Sequence, residues 1–220
     1  MTVAELRTLF RSQLGDLVTP YLVSDVTFLS YLNEAQEEAC DRANLLFDKT
    51  SAFCTLSIVD GTSVYALNNG IYSITYSSLT DTSSVVYKLS HKDNVEMDRT
   101  QSDWRTLTGR PENILFYDNS IELSPVPDDT FTLKLECYRY PLAALALDAD
   151  VPEIGRKHHR HLINWCLYRT YSMPDNEFHN VQNAEFFKKL FTDIFGEQPR
   201  ANTRRKQYQN IPKHNKVYLA

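Results

Sequence analysis

The hydrophobic period of this 220-residue chain changes twice, and that order of helix, strand and helix signals limits its folds more than any other feature. Thr2 and Glu5 form the capping pattern T-x-x-E, after which Leu6, Leu9, Phe10 and Leu14 recur at helical spacing up to the stop at Gly15. Ser24 caps a longer predicted helix in which Phe28, Leu32, Ala35, Ala39, Ala43 and Leu46 follow steps of three and four, ending near Phe47. Between Thr50 and Asn69, β-branched and aromatic residues take over, and Asp60-Gly61 is the strongest short hairpin signal. Further strands are expected over 71–79, 84–90, 113–117, 120–124 and 131–140, with Asp118-Asn119 as a second tight turn. The polar stretch 93–99 suits a short helix, followed by a loop with Trp104 and Gly109-Arg110-Pro111.

The helical period returns at Pro152, with Ile154, His158, Leu162, Trp165 and Tyr168 or Arg169 along one stripe that Pro174 ends. A last helix over 175–195 is expected to place Val181, Ala184, Phe187, Phe191 and Ile194 on one face before Gly196. The expected fold is therefore α+β. N-terminal helices (1–49) and a C-terminal helical hairpin (152–196) form a helical bundle, an antiparallel β-domain, either one sheet or a small sandwich, is inserted at 50–151, and an extended basic arm follows at 197–220.

Hydrophobic residues at 42% and aromatics at 12% exclude intrinsic disorder for the body. No apolar run approaches the roughly 18 residues of a membrane span, and the N-terminal stretch lacks the apolar core of a signal peptide, so neither secretion nor membrane insertion is expected. Cys40, Cys54, Cys137 and Cys166 are far apart in sequence and read as buried thiols in a reducing cytoplasm. The net charge of −5 conceals an asymmetry. Residues 197–220 hold six Lys/Arg against Glu197 alone, giving +5, which leaves 17 basic and 27 acidic side chains, or −10, for the preceding 196 residues.

Enzyme chemistry finds little support. His158 and His161 share a helix face at i, i+3, yet no third ligand follows at a recognisable spacing, so the reading is a basic turn with no metal. There is no G-x-S-x-G elbow and no phosphate-binding glycine loop, and Glu37-Glu38, Asp128-Asp129 and Asp148 with Asp150 read as solvated charges. No catalytic, cofactor-binding or metal residue is expected. The arm is the candidate binding element, through Arg200, Arg204, Arg205, Lys206, Tyr208, Lys213, Lys216, Val217, Tyr218 and Leu219. Its charges and tyrosines suit nucleic acid. They also suit an extended arm on a neighbouring subunit or partner, with 217-VYLA-220 as apolar anchor, and that reading is preferred.

The order of signals resembles the head-to-tail adaptor (connector) family of tailed phages, especially short-tailed ones. The residues that carry it are Leu14-Gly15-Asp16, Ser24-Asp25, Tyr31-Leu32-Asn33-Glu34-Ala35-Gln36, Cys40, Arg42-Ala43 and Leu45-Leu46. They continue with Trp104, Gly109-Arg110-Pro111, 114-ILFYDNSIELSPVPDD-129, 131-FTLKLECYRYP-141 and 158-HHRHLINWCLYRTY-171. The likeness covers about residues 2–196 and departs at Arg110, where the family pattern favours a small residue. It implies a structural virion protein at the head-tail junction, made in the host bacterial cytoplasm, without enzymatic activity or cofactor. It further implies a homo-oligomeric ring of twelve copies between the portal protein and the tail nozzle or tube, through which double-stranded DNA passes without specific binding. Alternatives are another neck or tail-completion ring protein, and a nucleic-acid-binding module using the basic tail.

Overall fold

The computed structural model describes residues 1–174 and 177–199, which divide into two compact units: Met1–Phe47 with Tyr138–Pro199, and Asp48–Cys137. The chain is mixed α+β.

In the first unit, α1 (Val3–Leu14) carries the expected capping box, with Thr2 and Glu5 bonded reciprocally, and closes on Gly15 at φ +83°. α2 (Asp25–Ala43) starts at Ser24, whose hydroxyl accepts from Thr27 N–H. It ends before Phe47, because Asn44 adopts the left-handed conformation (φ +51°) and returns its N–H to the Cys40 carbonyl. α4 (His159–Ser172) begins seven residues after Pro152, preceded by one 3₁₀ turn (Arg156–His158). Residues 152–155 stay out of the helix: Gly155 is extended, and the Glu153 carboxylate accepts from Arg139 and the Leu142 N–H instead of serving a first turn. Ile154 is nevertheless buried.

α5 (Val181–Phe195) is shorter than expected, because Asn180 caps it by accepting from Asn183 N–H. Its buried face is Ala184, Phe191 and Phe195, while Val181 and Ile194 are exposed. α4 is the central element. It touches α1, α2 and α5 and buries Leu162, Ile163, Trp165, Cys166 and Leu167, too wide an arc for a surface helix. Phe10 meets Phe28 at 5.0 Å between ring centroids, and Trp165 meets Phe191 at 4.9 Å.

The second unit holds most of the strands. One sheet has the order β1-β9-β4-β5, with β2 also on β9, where β1 is Phe47–Asp48, β2 Thr55–Ile58, β4 Ile71–Thr80, β5 Val86–Lys88 and β9 Phe131–Arg139. The other has the order β3-β8-β7-β6, from Val64–Ala66, Ser120–Ser124, Asn113–Phe116 and Ser90–Lys92 respectively. Asp118-Asn119 closes the β7–β8 hairpin as expected, with Phe116 opposite Ile121.

Three expectations fail here for one reason. Asp60-Gly61 makes a turn with Gly61 at φ +72°, but it joins β2 to β3 across the two sheets and so makes no hairpin. The single strand expected at 84–90 breaks at buried Leu89 into β5 and β6, again one in each sheet. The β-domain is also not purely antiparallel, since β6 pairs with β7 in parallel. A strand that changes sheet makes a corner of a two-sheet core, which period-2 patterning does not encode. That core comprises Ile58, Ile71, Ile74, Leu79, Leu89, Ile114, Ile121, Leu123, Leu133 and Leu135, among others.

The short helix α3 (Asn94–Thr100), capped by Asp93, closes a satellite cluster of Met97, Trp104 and Leu115. The Trp104 indole N–H donates to Asp98 at 2.8 Å, and Arg105 stacks on the indole while bonding the same carboxylate. Arg105 and Trp104 together hold the Asp98 carboxyl below the usual range.

His91 on β6 reaches Ser77 on β4 at 3.0 Å, tying the two sheets. Burial, and then the Lys88 charge, push its pKa down. The unfolded imidazole therefore takes a proton first as pH falls, so this contribution to stability is present above about 6.5, the unfolded value, and is lost below it. Urea midpoints measured from pH 7.5 to 5 should fall less steeply in His91→Asn than in the parent chain.

Candidate assembly surface

Every arm residue singled out in the sequence (Arg200, Arg204, Arg205, Lys206, Tyr208, Lys213, Lys216, Val217, Tyr218 and Leu219) lies outside the described residues. What the described residues offer is the anchor from which that segment departs and two exposed apolar surfaces on the first unit.

The anchor is Arg42. Its side chain is 3% exposed and makes two bonds to Glu38 Oε1, one to Thr192 Oγ1 and one to the Gly196 carbonyl. Its guanidinium lies 5.2 Å from the ring centroids of both Trp165 and Phe191. One buried cation thus fixes the end of α5 to α2. The last carbonyls of a helix attract positive charge, which is part of why arginine suits this position.

The first exposed surface is the loop 15–24. Asp16 turns inward at 5% exposure, accepting from Arg11 Nη1 at 2.9 Å and from the backbone N–H groups of Leu22 and Val23 at 3.1 and 3.2 Å. Arg11 also donates to Asp25 at 2.5 Å and to the Val23 carbonyl, and it lies 3.5 Å from the Tyr21 ring centroid. Arg7 joins Asp25 to Asp148. This network pins the loop backbone while Leu17, Val18, Leu22 and Val26 remain exposed, at 67, 80, 52 and 78%. A shallow apolar depression beside it is lined by Leu22, Val23, Thr27, Tyr31, Thr170 and Met173.

The second surface is the outer side of α5, where exposed Phe186 and Ile194 flank half-buried Leu190 at steps of four, bordered on one side by exposed Lys189 and Asp193, while Lys188 lies across the helix over the Tyr168 ring. Phe187, whose ring meets that of Phe186 edge-on at 5.2 Å, stacks on Tyr171 with planes 3° apart.

The remaining sequence candidates are structural. His158 packs against Phe195, and His159, which spacing did not single out, is the buried histidine of that run, bonding the Ile154 carbonyl at 2.8 Å. Among the described residues no cluster of three His, Cys, Asp or Glu side chains could hold a metal ion. All four cysteines are buried, and Cys54 and Cys137 approach to 3.7 Å between sulfurs, well beyond a disulfide bond. Burial pushes the Cys40 thiol up to about 12 and Cys166 higher still, the opposite of a reactive thiolate. Four of the acidic groups read as solvated have partners: Glu38 pairs with Arg42, Asp148 with Arg7, Asp129 accepts from the Thr130 N–H, and the Asp150 carboxylate accepts from Leu147 and Ala146 N–H, which holds its pKa down. Arg110, the departure from the adaptor pattern, lies over the Tyr87 ring at 4.1 Å.

Among the described residues no helix is long and apolar enough to cross a membrane. No curated protein matches this chain in sequence. A family model described as SU10 adaptor protein matches residues 1–213, and the chain belongs to that family of head-tail adaptors of short-tailed phages.

Proposed function

We propose that this protein is a non-enzymatic virion component that forms a ring of twelve copies between the portal and the tail nozzle or tube, extending the channel through which DNA leaves the head. The family match over residues 1–213 carries the reading. The helices of the first unit serve as the bundle that lines up neighbouring copies, and the basic arm of residues 197–220 reaches the portal or an adjacent copy. Charge agrees with that division of labour. Residues 1–196 carry −10, and an acidic lumen would avoid the phosphate contacts that slow DNA, while the +5 arm meets acidic protein surface.

The test is the mass of the purified chain, alone and with the portal of the same virus, followed by imaging of the complex. A ring formed on the portal, lost when residues 197–220 are deleted, is the expected result. A chain that stays monomeric and ignores the portal overturns it. The charge asymmetry favours one rival, a DNA-binding module. It predicts DNA affinity that falls steeply with salt and disappears with the same deletion.

A further inference from the structure

We propose that Cys54 and Cys137 are a latent disulfide, kept as thiols while the chain is made and joined by a peroxide once the particle has left its host, and that the bond staples the β-rich unit at its base. The timing rests on the virion reading above; the bond itself does not.

Position is the first observation. Cys54 is the last residue of the 3₁₀ turn Ala52–Cys54 that leads into β2, and Cys137 lies on β9, the strand with which β2 pairs. The two residues are 83 positions apart in the chain, yet their sulfurs stand 3.7 Å apart inside one core, at 1 and 0% exposure. That is contact distance for two sulfurs. A disulfide has about 2.05 Å between them, so the pair must close by about 1.7 Å, a shift that rotation about both χ1 torsions has to supply.

Orientation is the second. Cys54 directs its S–H toward the Asp48 carboxylate at 3.9 Å. That carboxylate is itself fixed, accepting from the Thr50 N–H at 2.9 Å, the Ser51 N–H at 3.0 Å and the Ser51 hydroxyl at 2.7 Å. The Cys54 sulfur is thus held in place by a hydrogen-bonded turn, and two reacting groups already held together lose little entropy on joining.

Access is the third. Low exposure of both sulfurs keeps them unreactive in a reducing cytoplasm. Their neighbours Ala52 and Phe53 are exposed and half-buried, so opening of this one turn, a local fluctuation, uncovers Cys54 first. Its sulfur attacks the peroxide oxygen, giving a sulfenic acid and one water. The Cys137 sulfur then attacks that of Cys54 and displaces a second water as the S–S bond forms. Two thiols and one hydrogen peroxide become one disulfide and two waters. Because the β-rich unit is Asp48–Cys137, the link ties its entry to its exit, and a cross-link that closes so long a loop removes much of the freedom of the unfolded chain.

The experiment uses the full chain, purified under dithiothreitol, freed of it, treated with hydrogen peroxide, unfolded in iodoacetamide and weighed. The expected product has lost two hydrogens, yields a linked peptide joining Cys54 to Cys137 and is alkylated only at Cys40 and Cys166, which lie in the helical unit. It should melt about 10 °C above the same sample returned to dithiothreitol, a comparison that needs no variant. Cys137→Ala should show neither the mass loss nor the rise. Alkylation of both Cys54 and Cys137 after peroxide, sulfinic or sulfonic acid at either without a link, a link through another cysteine, or a linked chain that melts no higher overturns the proposal. Particles purified in air and disrupted in iodoacetamide test the timing: they should carry the link, and chain alkylated inside infected cells should not. Four alkylated cysteines in the particle, or a link already present in the cell, overturns the timing. Particles without this chain overturn the virion reading and the timing with it, while the purified chain still decides the bond.

Discussion

Asp16→Ala should destabilise the folded chain by about 3–5 kcal/mol, the range for removing one partner of a buried ion pair. The carboxylate is nearly inaccessible and accepts three bonds, from Arg11 and from the Leu22 and Val23 backbone. Its removal leaves two loop N–H groups without that acceptor, and Arg11 keeps its hydrogen bonds to Asp25 and the Val23 carbonyl and its contact with the Tyr21 ring. The double variant Arg11→Met/Asp16→Leu separates charge from loop anchoring. If the ion pair alone mattered, an apolar pair would restore stability. Because Asp16 also holds the loop backbone, the double variant should recover only part of the loss in urea titrations.

Arg42→Ala should cost a similar amount, about 3–5 kcal/mol, and lower Tm by about 10 °C, given the 2–4 °C per kcal/mol typical of chains this size. The substitution leaves Glu38, at 16% exposure, without its cation, removes a donor to the Gly196 carbonyl and withdraws the charge lying over Trp165 and Phe191. Arg42→Lys should recover less than half of this. A lysine supplies the charge but cannot bond Glu38, Thr192 and Gly196 together from one planar fork. Differential scanning calorimetry on the three proteins measures both effects. Proteolysis at the start of the arm should also quicken in the alanine variant, since the end of α5 loses its tie to α2.

Legibility in the sequence followed the range of each interaction. Thr2 with Glu5, Ser24 and Gly15 act within one helical turn, so the starts of α1 and α2 and the end of α1 could be read directly. The β7–β8 hairpin was equally local. The assignment of strands to sheets was not, because alternation at 55–58 and 86–92 says which side chains point inward and nothing about which sheet receives them. Helix α5 was misjudged for a related reason. Apolar residues cover more than half of its circumference, and a periodicity argument that assumes one narrow buried face chose Val181 and Ile194 over Phe195. The surplus of apolar positions was itself the signal of a second surface.

The charge network was hidden most completely. Arg7, Arg11, Asp16, Asp25 and Asp148 are scattered over more than 140 positions, and each alone resembles a solvated charge. Only the fold brings them together. The adaptor resemblance rests in part on Leu14-Gly15-Asp16 and Ser24-Asp25, and beyond the helix ends at Gly15 and Ser24 the structure gives Asp16 and Asp25 a shared physical task in holding Arg11.

The β-rich unit is entered after Phe47 and left at Tyr138, and those two rings meet at 5.5 Å while Arg139 N–H bonds the Leu46 carbonyl. Departure and return thus share one doorway, the arrangement that makes inserted domains easy to tolerate. In evolutionary terms the ninety residues of Asp48–Cys137 behave as a cassette. Recombination between phages can lengthen, shorten or exchange it without disturbing the helices on either side of the doorway. The β-rich unit and the helical unit can then change on separate schedules within a single gene.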